Sequence, residues 1–159
     1  MWHAKRPRLL RHRSLAPAVQ KPAVKAPWHL YLIGLAAVLW NLAGVFDFLA
    51  TATQFAPYMQ RMPEGAQQYW ADLPDTIYGI WALAVFSALA GSMMLLRRHL
   101  LAVRVLALSA TATIFSMAAT YSRPAPDADL NRVVAVCIIV VALLVLNYAF
   151  HQAKRGVLR

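Results

Sequence analysis

Four long apolar runs constrain this chain of 159 residues more than any other feature of its sequence. The runs occupy residues 30–53, 76–96, 100–121 and 133–150. Each contains about 18–24 residues, which as a helix is long enough to cross a hydrocarbon core of about 30 Å. The stretches of alternating polarity that build a membrane barrel, about ten residues each, do not occur in the sequence. The sequence therefore predicts an all-α integral membrane protein with four transmembrane helices.

The apolar runs divide the chain into three parts. We expect a disordered basic tail at residues 1–27, a four-helix domain at 28–151 and a second basic tail at 152–159. The transmembrane helices are predicted at about residues 29–53, 76–96, 100–121 and 131–151. Because short connections join antiparallel neighbours, the expected arrangement is an up-down four-helix bundle.

The loop between the first two helices, residues 54–75, is longer than a turn requires. Within it, Pro63-Glu64 resembles a helix start, with proline at an early position and an acid in the first turn. We expect a short amphipathic segment on the outer face of the membrane. Such a segment either shields the rim of the bundle or acts as a lid over a cavity.

Lysine and arginine are distributed unevenly between the two ends of the predicted helices. Thirteen of the 16 lie in the two terminal tails or around the turn between the second and third helices. The positive-inside rule therefore predicts that both termini are cytoplasmic. Since the net charge of +10 flanks membrane segments, its expected partner is the anionic headgroup layer of the bilayer rather than a nucleic acid.

Asp47 is the only acidic residue inside an apolar run. A carboxylate at membrane depth costs about 2.5–3.5 kcal/mol even on lenient insertion scales. Helical spacing places it on a face with Trp40, Gly44 and Thr51, and a face of hydroxyls follows the third helix. We therefore predict a polar intramembrane pocket in the outer half of the membrane. Its residues are Asp47, Asn41, Trp40, Thr51, Tyr78, Ser116 and Thr120.

Two interpretations of this pocket remain open at the level of sequence. In one, the polar side chains only form hydrogen bonds between helices, worth about 0.6 kcal/mol each. In the other, Asp47 is the counter-charge for a cation, a proton or a hydrogen-bonding solute. Asp47 could also be neutralised by Arg123 or Arg132, or protonated because of desolvation.

Small residues recur at helical spacing in the first two transmembrane helices. Such residues let helix backbones approach closely in lipid. The predicted packing positions are Gly44, Ala84, Ala88, Gly91 and Ser92.

Three histidines, His29, His99 and His151, fall at the predicted cytoplasmic ends of helices. They could ligate haem or a metal ion, but their spacing matches no motif, and anchoring at the interface is the commoner role of histidine beside arginine and lysine. The single Cys137 provides neither a disulfide nor a cysteine cluster. Nucleotide-binding and hydrolase motifs are also missing from the sequence. We expect no cofactor and no enzymatic activity.

The first-helix signature Trp40-Asn41-x-x-Gly44-x-x-Asp47-Phe48 resembles that of a group of small bacterial four-helix inner-membrane proteins of uncharacterised function. Trp81 and the Gly91-to-Arg98 exit of the second helix extend the resemblance, which covers residues 28–159. It implies a location in the bacterial inner membrane. Members of this group are sometimes described as transporter-like. The motifs that carry the resemblance do not indicate a mechanism.

Two classes of function fit these observations. The first is a non-enzymatic accessory or interaction subunit, with a membrane-protein partner or a second copy of the chain. The second is a small-solute transporter or binding protein with the Asp47 pocket open to the outer face. Because neither inverted repeats nor broken helices are evident, the sequence favours the first class slightly.

Overall fold

The structure is a computed structural model that describes residues 25–124 and 128–159, with side chains described from residue 132 onward in the second range. Its regular elements are six helices: α1 (Trp28–Ala52), α2 (Ala56–Met59), α3 (Glu64–Ala71), α4 (Asp75–Leu96), α5 (Ala102–Tyr121) and α6 (Ala128–Lys154). Four of them, α1, α4, α5 and α6, are long and apolar enough to cross a membrane. The predicted all-α class and the four apolar helices are therefore confirmed. The predicted tail at residues 1–27 lies, apart from its last three residues, outside the described part of the chain.

Proline marks the start of three helices. Pro27, Pro63 and Pro74 directly precede α1, α3 and α4, and each has an extended backbone with ψ between 142° and 147°. Their fixed φ suits the non-helical position before a helix. Glu64 and Asp75 then place an acid in the first turn, where the helix dipole favours it. The helix start predicted at Pro63-Glu64 agrees with the structure.

Helix α4 lies between α1 and α5, and α6 packs against α5. Glycine residues let α4 approach both of its neighbours, α1 and α5, closely. A Cβ atom at Gly34 of α1 would lie 2.5 Å from Leu96 Cδ2, and one at Gly91 of α4 would lie 2.7 Å from Leu106 Cγ. Among the described residues, α1 and α6 are not close neighbours along their lengths. The four long helices therefore follow the order α1, α4, α5, α6, and the first and last meet near one end, where His29 contacts Tyr148.

The C-terminal segment, predicted as a basic tail at 152–159, folds back onto the long helices. Helix α6 continues to Lys154, and Gly156 then turns the chain with a φ of 71° that only glycine adopts easily. Val157 and Leu158 are buried among residues of α1, α4 and α5. The Arg159 amide donates to the Arg98 carbonyl at 2.7 Å. The chain end folds back because Val157 and Leu158 are apolar. In the sequence, the basic residues around them make this segment resemble a polar tail.

Gly91 provides a test of the contact between α4 and α5. We expect Gly91→Ala to lower the free energy of unfolding by about 1–3 kcal/mol, because the added methyl group would overlap the Leu106 side chain and lie 3.2 Å from its backbone nitrogen. Unfolding in detergent micelles, followed by circular dichroism, measures the change.

Gly79→Ala is the matched control on the same helix, since a Cβ atom there would meet nothing within 4 Å. We expect it to preserve or slightly raise stability. Equal stability of the two variants would contradict the proposed tight packing at Gly91.

A candidate binding cavity around Asp47

A cavity of about 370 Å³ lies among the four long helices. Residues of α1, α4, α5 and α6 line it, and Trp70 of α3 contributes at one side. Most of the lining is apolar, and Asp47 is its single charged residue within the described part of the chain.

The Asp47 carboxylate accepts a hydrogen bond from the Tyr58 hydroxyl. Tyr58 comes from α2, the short helix directly after α1, and its ring packs edge-on against Phe46 at 5.9 Å between centroids. Burial, together with the hydrogen bond and the negative charge of Asp47, raises the pKa of Tyr58 to about 12. The phenol is therefore protonated at neutral pH and donates to the carboxylate.

Asp47 forms no ion pair with any side chain that the structure describes. Arg123, considered above as a neutralising partner, donates instead from Nη1 to the Asp72 carbonyl oxygen at 3.3 Å. No described lysine, arginine or histidine lines the cavity. Within the described residues, the partner of the carboxylate is thus a neutral hydroxyl.

Five of the seven residues predicted for the polar pocket line the cavity: Trp40, Asn41, Asp47, Ser116 and Thr120. Thr51 and Tyr78 do not. Thr51 is enclosed at the last turn of α1, where its carbonyl accepts a hydrogen bond from the Gln54 side chain. Tyr78 points to α3, and its hydroxyl donates to the Trp70 carbonyl at 2.7 Å. Helical spacing placed both near Asp47, but the connection through α2 and α3 covers that level of the bundle.

The hydroxyl face of α5 forms one wall of the cavity. Its buried members are Ser109, Thr113, Ser116 and Thr120. Ser109 also donates to the Ala84 carbonyl of α4 at 2.9 Å. Interhelical hydrogen bonding therefore accounts for part of this face, as one of the two interpretations of the sequence expected.

The predicted packing residues divide between two roles. Ser92 and Gly91 are buried at helix contacts, and Ser92 accepts a hydrogen bond from Asn41 Nδ2 at 2.9 Å. Gly44, Ala84 and Ala88 line the cavity. Their small side chains therefore leave the space that a larger residue would fill.

Three aromatic residues of the cavity were not predicted as site residues: Trp70, Trp81 and Tyr121. The Trp70 and Trp81 rings lie 5.5 Å apart between centroids. Trp81 shares a helical face with Ala84 and Ala88, at offsets of three and seven residues, so periodicity could have identified it. Trp70 has no comparable signal, because the fold of the connection between α1 and α4 brings it to the cavity.

The three histidines make separate local contacts. His29 Nδ1 lies 2.6 Å from the Tyr148 hydroxyl, and His151 Nδ1 lies 2.9 Å from the Asn147 carbonyl. His99 Nδ1 accepts a hydrogen bond from the Leu101 amide at 3.2 Å. Over the described ranges, no three histidine, cysteine or acidic side chains come together as a metal-ligating group.

Comparison with known proteins does not assign a family to this chain. It matches no protein-family model, and neither a curated protein nor a solved structure is significantly similar to it. The chemistry of the cavity must therefore be inferred from its own residues.

The contact between Tyr58 and Asp47 can be tested by titration. We expect one tyrosine of the wild-type protein to ionise near pH 12 rather than near 10, and Tyr58→Phe to remove that step. Asp47→Asn should lower the pKa of Tyr58, because it removes the negative charge that opposes ionisation. The absorbance of tyrosinate as a function of pH, in detergent micelles, measures the titration of the wild type and of both variants.

The raised pKa also fixes the pH range in which this contact contributes to stability. Its contribution should be fully present below pH 10 and lost as the pH rises toward about 12, since the unfolded chain ionises first. Tyr31→Phe, at an exposed position, is the control. An unchanged titration in Asp47→Asn would contradict the contact.

Proposed function

We propose that this protein binds a small amphipathic molecule within the membrane, in the cavity between its long helices. The observation that carries this proposal is the enclosure of the Asp47 carboxylate in a mainly apolar space of about 370 Å³. This volume falls within the range of about 300–1,000 Å³ typical of ligand pockets.

The chemistry of the walls supports a ligand with one polar end. From residue 132 onward, helix α6 contributes apolar residues alone, namely Val134, Ile138, Val141, Ala142 and Val145. Polar groups come from other helices, namely Asp47 and Asn41 from α1 and the hydroxyls of α5. A molecule that is polar throughout would leave groups unpaired against α6, and each unpaired group is costly in an apolar site.

The cavity supports binding rather than catalysis. Tyr58 is held in its protonated form beside Asp47. Apart from Asp47, the ionisable group that lines the cavity in the described part of the chain is the phenol of Tyr121, and a phenol ordinarily ionises at about pH 10. General acid–base catalysis needs groups that exchange protons near the working pH. We therefore infer a non-enzymatic role.

We further propose an up-down bundle in the bacterial inner membrane, with both termini in the cytoplasm. The first turn of α1, the end of α4, the start of α5 and the C-terminus share one cluster, through residues such as Leu30, Leu95, Ala102 and Leu158. The basic residues around the α4–α5 turn and the C-terminus then favour the cytoplasmic side for that end. Asp47 and Tyr58 belong to the opposite, outer end.

This orientation can be tested by cysteine labelling in a Cys137→Ser background. We expect a membrane-impermeant maleimide to label Gln60→Cys in intact spheroplasts, because residue 60 lies in the outer connection and is exposed. Arg97→Cys, exposed in the α4–α5 turn, should be labelled only after permeabilisation. The reverse pattern would contradict the proposed orientation.

A second candidate function is that of an accessory subunit. Only 11% of the α6 span is buried within the chain, compared with 39% of the α5 span. The rest of α6 presents an apolar face that either lipid or a helix of another membrane protein could cover. This function matches the first class inferred from the sequence.

One experiment separates the two functions. The protein is purified from membranes in native nanodiscs, and mass spectrometry identifies the small molecules and chains that accompany it. If the cavity binds a ligand, wild type should carry a small molecule that Ala142→Phe loses, because the phenyl ring enters the cavity from α6.

Ala118→Phe, at an exposed position of α5, is the matched control and should retain the small molecule. An accessory subunit would instead retain a partner chain in both variants. Preparations that contain neither a small molecule nor a second chain would contradict both functions.

A further inference from the structure

The negative charge of the cavity restricts the polar end of its ligand. Asp47 is half-buried and, among the residues that the structure describes, is the only charged one of the lining. A carboxylate in such an environment is stabilised by an opposite charge or by hydrogen bonds, or else it takes up a proton. The single hydrogen bond that its side chain accepts in the described structure, from Tyr58, leaves other lone pairs of the carboxylate available.

Aromatic rings lie at the same end of the cavity as Asp47. Phe48, the next residue of α1, packs against Trp81 at 5.2 Å between centroids. Trp70 packs against Trp81 in turn, and both tryptophans line the cavity. Trp81 is therefore level with Asp47 on the facing helix. The faces of such rings carry partial negative charge, so they attract cations and not anions.

The other end of the cavity is mainly apolar, and its polar side chains Asn41 and Ser109 already donate hydrogen bonds to Ser92 and to the Ala84 carbonyl. Leu106 and Val145 line this end, and both belong to, or pack on, the core cluster at the opposite end of the bundle from Tyr58. A bare metal ion would make no use of this apolar surface, and no three histidine, cysteine or acidic side chains of the described residues come together to bind one. The cavity thus combines a cation-attracting end with space for an apolar body.

We propose that the ligand is an amphipathic organic cation, whose ammonium-type head lies between Asp47 and the rings of Trp70 and Trp81 while its apolar body extends along α6. This inference rests on the proposed binding function and specifies the class of its ligand.

The test compares two probes of the same shape. Benzyltrimethylammonium carries a positive nitrogen where neopentylbenzene, its neutral isostere, carries a carbon. Binding of each is measured by calorimetry to the full-length protein in phosphatidylcholine nanodiscs, and partitioning into protein-free nanodiscs is subtracted. Neutral lipid is used because anionic headgroups would attract the cation by themselves.

We expect the wild-type protein to bind the cation at least about tenfold more tightly than the isostere. Asp47→Asn should abolish this preference, and Asp47→Glu should retain it in part. Trp70→Leu should weaken binding of the cation about two- to thirtyfold and affect the isostere less. Asp72→Asn, which removes an exposed carboxylate outside the cavity, should change neither.

Two results would overturn the inference, and they differ in what they imply for the binding function. Equal binding of both probes, blocked by Ala142→Phe, would show an apolar pocket with a neutral Asp47 and would leave the proposed function standing. If neither probe binds, the proposal of a cationic ligand is overturned, and the result also counts against the binding function. If Asp47→Asn does not fold, the preference of the wild-type protein for the cation over its neutral isostere still tests whether the ligand is cationic.

Discussion

The close packing of α4 against both of its neighbours determines the rest of this structure. Gly34 accommodates Leu96 where α1 meets α4, and Gly91 accommodates Leu106 where α4 meets α5. In lipid, where no hydrophobic effect draws helices together, such close approach is a main source of association. Helix α6 packs chiefly on α5, and residues of all four long helices line the space that remains as the cavity.

Asp47 then acquires its environment from the connection between α1 and α4. Helix α2 places the Tyr58 hydroxyl on the carboxylate, and α3 places Trp70 beside Trp81. Tyr69 of α3 also donates to the Thr120 carbonyl of α5 at 2.5 Å. The connection is therefore part of the site rather than only a cover for the rim. It supplies the hydrogen bond and the rings that a single transmembrane helix could not provide for its own acid.

Much of the fold, and a part of the site, could be predicted from local sequence. Apolar runs of membrane-spanning length identify helices because the bilayer requires each backbone group to be paired within its own segment. Helical spacing likewise placed Asp47, Ser116 and Thr120 on inward faces, and all three line the cavity. The same reasoning misplaced Thr51 and Tyr78, since spacing along one helix does not indicate where another segment covers it.

The sequence by itself determined that the chain forms apolar helices of membrane-spanning length, and that one of them carries an acid at a costly depth. Only the tertiary structure decided that Tyr58 is the partner of that acid, that Trp70 and Trp81 adjoin it, and that Val157 and Leu158 close the opposite end of the bundle. The physical reason is the range of the interactions. Helix formation depends on residues three or four apart, whereas these contacts join segments whose positions depend on how whole helices pack.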